Sequence, residues 1–195
     1  MGMMCTWNDD TALSTGVEHA PPRSCPGGGM ATAGAPRLMR MADPSPFTHL
    51  HHICIVVADI DAAQRFYESV GIGPWQPFPP LSVFSDVSIP AADFQTLTYR
   101  YADLDGVQIQ LCAAGDGETP QRHFLERNGP GVFHLGFAVP DVDEAERTGR
   151  SYGLDVLLRG RRPDGGGFSY FETPEAGVTL QVRSAPPTAA APPSD

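Results

Sequence analysis

The pattern of apolar and polar residues predicts short strands and two helices in the middle of the chain. The run Leu50–Val57 is rich in Ile and Val, as is typical of a buried strand. Asp61 and Gln64 have the spacing of a capping box and an apolar stripe follows them, so a helix is predicted over about residues 61–70. Further strands are predicted at an irregular segment near 81–88 and at the two arms of a hairpin, 95–101 and 107–112.

The later part of this region repeats the same order of elements. A strand is predicted at Phe133–Val139, and Asp143 and Glu146 form a second capping box that opens a helix to about residue 152. Each half therefore follows the order βαβββ, and the linker between the halves contains a short predicted helix at 121–128. Strand signals in the second half return near 155–159, 167–172 and 177–183.

The two halves are also similar residue by residue. The segment that begins at His52 recurs at His134, an offset of 82 residues, and Gly106–Leu111 recurs as Gly177–Val182, an offset of 71. A βαβββ unit has a helix on one face and must cover the other. The predicted fold is therefore α+β, with two tandem modules side by side in a curved mixed sheet that encloses a cleft. The modules span about residues 48–113 and 132–184.

The two ends of the chain show no sustained strand or helix period. Residues 1–47 contain Pro and Gly clusters, and residues 185–195 are rich in Pro and Ala, so both are predicted to be disordered around a single domain at 48–184. Methionines near the first strand leave two explanations open, a flexible extension or a natural start downstream of Met1. These methionines are Met30, Met39 and Met41.

Composition excludes several classes of function. The 13 basic and 23 acidic residues give a formal charge of −10, which disfavours a nucleic-acid or anionic-membrane surface. No apolar run approaches the roughly 18–20 residues of a transmembrane helix, and no secretory signal pattern is visible. The four cysteines form no CxxC pair, which fits a reducing, cytoplasmic setting.

Two stretches resemble a known family. The pattern from His52 through Phe66-Tyr67 to Gly71-Ile-Gly-Pro-Trp75, together with the stretch from Gln110 to Val139, is similar to the vicinal oxygen chelate superfamily and most similar to its methylmalonyl-CoA epimerase-like branch. The resemblance covers about residues 50–183. It implies the two-module fold and a divalent metal ion, one of Co, Mn, Ni, Zn or Fe.

The resemblance implies four metal ligands, one on the first and one on the last strand of each module. Epimerases of this branch have His, Gln and His at the first three positions and a glutamate at the fourth, whereas this chain has Gln181 there. A neutral amide lowers the negative charge of the site and should weaken metal binding. The four predicted ligands are His52, Gln110, His134 and Gln181. His51 should face away from His52 by strand alternation and be exposed to solvent.

Other side chains are candidates for catalysis or substrate binding. Glu172 and Tyr101 are equivalent by the 71-residue offset, and Glu172 is the favoured proton-transfer residue, with a role in a turn as its alternative. Arg161 and Arg162 form the one basic cluster, which either contacts a substrate carboxylate or phosphate or belongs to a solvated loop. The remaining substrate-binding candidates are Trp75, whose alternative is core packing, and Gln108 and Thr179, which share strand faces with the predicted glutamine ligands.

The function expected from the resemblance is that of a metal-dependent isomerase, epimerase or lyase. It would act on a small oxygen-chelating substrate, such as an acyl-CoA or another carboxylate or carbonyl compound, through an enediolate-like intermediate. The alternative is a metal-free binding or antibiotic-sequestering resistance protein. An extradiol dioxygenase is disfavoured, because its triad would require a carboxylate where Gln181 stands. Two arrangements are left open: the two modules close on each other within one chain, or they pair across a homodimer.

Overall fold

The structure, a computed structural model, describes residues 45–184. The predicted disordered tail at 185–195 and all but the last three residues of the segment 1–47 lie outside the described residues. Phe47 corrects the predicted domain boundary. Its ring contacts the rings of Phe137 and Phe171 edge to face, at centroid distances of 5.5 and 5.7 Å. Phe47, one residue before the predicted start of the domain, therefore packs against the core.

The described residues form nine strands and four α-helices, of which the two-residue strand at Gln76–Pro77 and the four-residue helix at Ala91–Phe94 were not predicted. The segment 81–88, predicted as one irregular strand, instead contains a 3₁₀ turn at Leu81–Val83 and a two-residue strand. The elements are β1 (Leu50–Val57), α1 (Ile60–Ser69), β2 (Gln76–Pro77), β3 (Asp86–Val87), α2 (Ala91–Phe94), β4 (Thr98–Leu104), β5 (Val107–Ala113), α3 (Pro120–Asn128), β6 (Gly131–Val139), α4 (Val142–Ser151), β7 (Val156–Arg161), β8 (Gly167–Phe171) and β9 (Thr179–Ser184).

All nine strands belong to one mixed sheet, in the order β2-β4-β5-β1-β6-β9-β8-β7-β3. The first module contributes β2-β4-β5-β1 and the second contributes β6-β9-β8-β7, so the order of the second mirrors that of the first. The modules meet where β1 and β6 pair antiparallel, whereas β1 with β5 and β6 with β9 are parallel. The ninth strand, β3, comes from the first module in sequence but pairs with β7 of the second. The predicted α+β fold is confirmed, with one strand more than the two modules alone supply.

The N-caps of both module helices lie two residues before the predicted N-caps. Asp59 caps α1 by accepting a hydrogen bond from the Ala62 amide, and Asp141 caps α4 by accepting from two amides of its first turn. Strands β1 and β6 end at Val57 and Val139, so only a two-residue link separates each strand from its helix. The predicted capping residues, Asp61 and Asp143, therefore lie in the first turns and are available to form ion pairs.

The core lies on both faces of the sheet, because alternate strand residues point in opposite directions. One face carries two clusters, beside α1 and α4, of which Trp75 and Phe171 are the largest members. The other face carries the largest cluster, which includes Cys54, Phe94 and Tyr170 and is covered by part of the segment 81–97. No helix among residues 45–184 is long and apolar enough to cross a membrane.

Candidate functional site

The four predicted ligands lie together on the four central strands of the sheet. In the register of β1, β6 and β9, His52 pairs with Gly136, which pairs with Gln181. In the neighbouring row, Gln110 pairs with Cys54, which pairs with His134. All four predicted ligands are buried. The structure therefore brings together the residues that lie 82 and 71 positions apart in sequence.

The two histidines are in direct contact. Nε2 of His52 lies 2.8 Å from Nε2 of His134, and the two rings are nearly perpendicular. Burial, followed by the charge of Arg183, lowers the pKa of His134 to about 3. Burial, followed by the proximity of His134, holds the pKa of His52 well below its ordinary value. Both imidazoles are therefore neutral at physiological pH, the state in which histidine binds metals.

Gly136 makes room for the His52 ring and was not predicted from the sequence. A Cβ atom at position 136 would lie 1.9 Å from Cε1 of His52, closer than any atom can approach. The available signal was a single glycine inside a predicted strand, which often marks a close approach of another group. At the repeat-equivalent position, 82 residues earlier, the first module has Cys54.

His51 contacts His52, contrary to the prediction that it faces away into solvent. Its Nδ1 lies 3.0 Å from Nδ1 of His52, and its side chain is half-buried. The pairing of β1 with β6 shifts by one residue between Leu50 and His52, so His51 is the extra residue of a β-bulge. A bulge interrupts strand alternation, which explains the wrong prediction. Burial, and then the charge of Arg183, lower the pKa of His51 to about 4.

A pocket of about 450 Å³, including the part open to solvent, lies against the two glutamines. Both modules form it. The first supplies aromatic and aliphatic side chains from β4 and from the segment before it, and the second supplies residues of β8 and β9. The apolar lining consists of Phe78, Leu81, Phe84, Phe94, Tyr99, Phe168 and Tyr170, and the polar lining of Gln110, Gln181, Arg162, Arg183 and Ser184, with Gly167 completing the wall.

Arg183 is a second pocket residue that was not predicted from the sequence. It lies two residues after Gln181 on β9, so both side chains are on the same face of the strand. Strand alternation alone could have identified it. Its guanidinium lies 5.9 Å from the centre of the Phe78 ring, and burial lowers its pKa. No aspartate or glutamate lines the pocket that Arg183 shares with Arg162.

Glu172 and Tyr101 are not equivalent in the structure. Gln110 pairs across the hairpin with Tyr101, but Gln181 pairs with Tyr170. The hairpin of the first module turns at residues 105–106, whereas that of the second has a longer connection after Phe171, which shifts the offset of the preceding strand from 71 to 69. Glu172 is exposed and, with Thr179, lines a different surface depression beside α3.

Four of the five predicted substrate-binding residues also lie outside the pocket. Trp75 is buried among Val57, Ala102 and Leu111, and its indole N–H donates to the Ile72 carbonyl. Arg161 is buried in contacts with α4, described below, so it is not available to a ligand. Thr179 lies in the depression beside α3. Gln108 contacts the pocket only through Gln110, since its Oε1 accepts a hydrogen bond from Nε2 of Gln110 at 3.1 Å. Only Arg162 of the five lines the pocket.

Comparison with known proteins agrees with this geometry. Residues 51–171 match the glyoxalase/bleomycin resistance protein/dioxygenase superfamily. The chain belongs to this superfamily. A crystal structure of methylmalonyl-CoA epimerase from Mycobacterium tuberculosis is similar with 27% identity and a TM-score of 0.53, covering 77% of this chain and 97% of the epimerase.

Two further solved structures share the vicinal oxygen chelate fold of this superfamily member. A substituted Streptomyces coelicolor methylmalonyl-CoA epimerase in complex with 2-nitronate-propionyl-CoA is 22% identical, with a TM-score of 0.53, and the match covers 71% of this chain and 97% of that one. A hypothetical protein from Bacillus halodurans is 16% identical, with a TM-score of 0.52 and coverages of 73% and 97%. No curated protein matches significantly. At these identities the two structures show the fold alone.

The buried residues of this superfamily member fit a divalent metal ion by donor type. The Oε1 of Gln181 and the Nδ1 of His134 are buried without a hydrogen-bond partner, and such groups are rare in native proteins. Since Gln110 donates to Gln108, its own carbonyl oxygen is left as an acceptor. Two imidazole nitrogens and two amide oxygens are suitable ligands for first-row divalent metals. Residues 45–184 contain no cluster of three His, Cys, Asp or Glu side chains that could hold a metal, so ligation here would depend on the two amides.

Proposed function

We propose that this chain is a small-molecule isomerase of the epimerase type, with its active site at His52, His134, Gln110 and Gln181. The observation that carries the proposal is the 2.8 Å approach of two buried, neutral imidazoles beside two amides that line the pocket. In the same arrangement His134 Nδ1 is buried with no hydrogen-bond partner. Because an unsatisfied buried polar atom costs about 1–3 kcal/mol, an arrangement of this kind is expected where a function requires it.

The metal proposed for this site would be held by His52, His134, Gln110 and Gln181, through imidazole nitrogens and amide oxygens. When bound, a divalent ion polarises a substrate oxygen and so makes a neighbouring C–H bond more acidic. His51 would support this role, because its contact with Nδ1 of His52 helps to hold the ring with Nε2 directed toward His134. The pocket's apolar wall would exclude water from the reacting carbon.

Proton transfer in this proposal is assigned to Tyr101. It lies two residues after Tyr99, which lines the pocket, and on the same face of β4. Tyr99 itself is unsuitable as a base, because burial raises the pKa of its phenol. Burial likewise raises the pKa of Tyr170. Both buried phenols would serve as hydrogen-bond donors, and Glu172 would have no part in this pocket.

A second candidate function is metal-free binding of a small molecule. The observation that favours it is the charge of the pocket, which is lined by two arginines and by no carboxylate. A carboxylate usually strengthens a divalent site, and a nearby guanidinium opposes metal binding by charge repulsion. In this alternative the two histidines would hydrogen-bond to each other and stabilise the pocket floor.

Metal analysis of the untagged protein separates the two candidates. An isomerase should contain a near-stoichiometric divalent metal, and His134→Ala should lose it. The exposed histidine His123 provides the matched control, since His123→Ala should retain the metal. A metal-free preparation that also takes up no added Co²⁺, Mn²⁺, Ni²⁺, Zn²⁺ or Fe²⁺ would contradict the isomerase proposal.

Hydrogen exchange into methylmalonyl-CoA, the substrate named for the similar epimerases, tests the reaction. In D₂O the metal-loaded protein should introduce deuterium at the carbon between the two carbonyl groups, as followed by mass spectrometry. Tyr101→Phe should slow this exchange about 100-fold, in the range typical of general acid–base catalysis. Exchange that is unaffected by Tyr101→Phe but abolished by Glu172→Gln would show that the assignment of the base is wrong.

A further inference from the structure

We infer that the pocket binds a compact anion with a flat apolar body, an aromatic carboxylate, whose charged group is held by Arg183 together with Arg162. The pocket contains two guanidinium groups and seven aromatic or aliphatic side chains, with no acidic residue among its lining. This inference deepens the proposed function by naming a class of ligand for the same pocket.

Arg183 is the main support for an anion. No salt bridge or hydrogen bond to its guanidinium is formed within residues 45–184, although the side chain is only partly exposed and ten ion pairs occur elsewhere in the same region. The contact with the Phe78 ring at 5.9 Å leaves the planar N–H groups without acceptors. A cation withdrawn from water without a partner is unfavourable, and a bound carboxylate would satisfy it.

Arg162 would contribute less than Arg183. Its Nε donates to Asp164 at 3.1 Å, so its charge is already partly balanced. Asp164 is exposed and does not line the pocket. A ligand carboxylate would therefore gain most from Arg183 and would use Arg162 as a second, weaker partner.

The apolar lining favours a flat body for the ligand. Phe84 and Phe94 both approach Phe168, at centroid distances of 5.0 and 5.8 Å, and Phe78 approaches Tyr99 at 5.6 Å. Aromatic walls at these spacings offer ring faces and edges to a planar group.

Two probes of equal shape test this inference, 2-naphthoate and its neutral amide, 2-naphthamide. Binding is measured by calorimetry on protein stripped of metal by a chelator that is then removed, so a bound metal cannot account for a preference for the carboxylate. The native chain should bind 2-naphthoate on the order of 10-fold more tightly than 2-naphthamide, as expected for charge-assisted hydrogen bonds. Arg183→Gln should abolish this preference, and Arg162→Gln should reduce it by a smaller factor.

Arg147→Gln is the matched control, because it removes the same charge from an exposed position on α4 and should leave the preference unchanged. Circular dichroism establishes that each variant is folded. Equal affinities of the native chain for the two probes, an equal effect of Arg147→Gln, or no binding of 2-naphthoate at 1 mM would each overturn the inference. The two proposals can fail separately. If the protein binds no metal and catalyses no hydrogen exchange but still prefers 2-naphthoate through Arg183, the isomerase proposal fails and this inference stands.

Discussion

The two modules place the same kinds of residue at equivalent positions but use them differently. Arg100 of the first module contacts Asp61 and Gln64 of α1, where Asp61 is 63% exposed. In the second module Arg161 contacts Asp143 and Glu146, the counterparts of Asp61 and Gln64 on α4. The side chains of Arg161 and Glu146 are only 11% and 10% exposed. The two arginines come from strands that are not equivalent, β4 and β7, so the helix positions are repeated in both modules and their arginine partners are not.

The same asymmetry occurs at the candidate site. Cys54 in the first module corresponds to Gly136 in the second, where a Cβ atom would overlap the His52 ring. Cys112 corresponds, by the 71-residue offset, to Arg183, so a buried thiol in one module is a pocket cation in the other. Duplication therefore places the four candidate ligands. The shape and the charge of the pocket depend on positions at which the two modules carry different residues.

Replacing Arg161 and Arg100, each in its own variant, should reveal the largest difference in stability between the two modules. Arg161→Met removes the buried cationic partner of Glu146 and leaves only the more exposed Arg150, so it should lower the free energy of unfolding by about 3 kcal/mol. Arg100→Met removes a partly exposed pair and should cost only about 0.5 kcal/mol. Urea unfolding measures both values. Equal losses would show that burial does not distinguish the two modules.

The exchange of Gly136 for a larger residue should have the next largest effect. In Gly136→Ala the new Cβ would overlap the His52 ring, so the ring must move, and the free energy of unfolding should fall by about 3 kcal/mol or less. Gly131→Ala, on the same strand, is the control, since its Cβ would make only ordinary contact with Phe124 at 3.6 Å. The His52 imidazole signals in an NMR spectrum should shift in the first variant and not in the second.

Acid should destabilise the protein through its buried histidines. The pKa of His134 falls from 6.5 to about 3 on folding, so below pH 6.5 the unfolded chain binds a proton that the folded chain does not. Its stabilisation is therefore complete above pH 6.5 and is lost as the pH falls toward 3, a loss of about 2 kcal/mol at pH 5. His134→Gln should reduce the slope of unfolding free energy against pH between 6.5 and 4. The exposed His123→Gln should leave that slope as it is.

A carboxylate at the fourth predicted ligand position should strengthen metal binding, and this change in free energy should be smaller than the main effects predicted above. Gln181→Glu adds a negative charge to a neutral donor set and should raise Co²⁺ affinity about 10-fold, equivalent to about 1.4 kcal/mol. Calorimetric titration measures the change. The matched variant is Gln108→Glu, which makes the same change at a neighbouring residue. Gln108 contacts Gln110 but is not itself a predicted ligand. An unchanged affinity in Gln181→Glu would place this residue outside the metal site.

Much of the fold could be predicted because strand and helix periods are local properties of a chain. The strand at Leu50–Val57, the helix near 121–128 and the duplication itself were all visible in the pattern of residues. Helix N-caps were predicted two residues late, since each helix has one aspartate at its N-cap and another in its first turn, and only the strand end decides between them. Trp75 and Arg161 were predicted beside the ligand because residue type does not specify which face of the sheet a side chain reaches after a turn.

The order of residues thus determined the α+β duplication, and it placed two histidines and two glutamines at matching strand positions. Only the tertiary structure showed that His51 lies in a bulge, that Tyr170 and not Glu172 pairs with Gln181, and that Gly136 makes room for His52. The physical reason is that side-chain alternation is encoded within one strand. Register, bulges and close approaches depend on how separate strands hydrogen-bond and pack, which no local pattern contains.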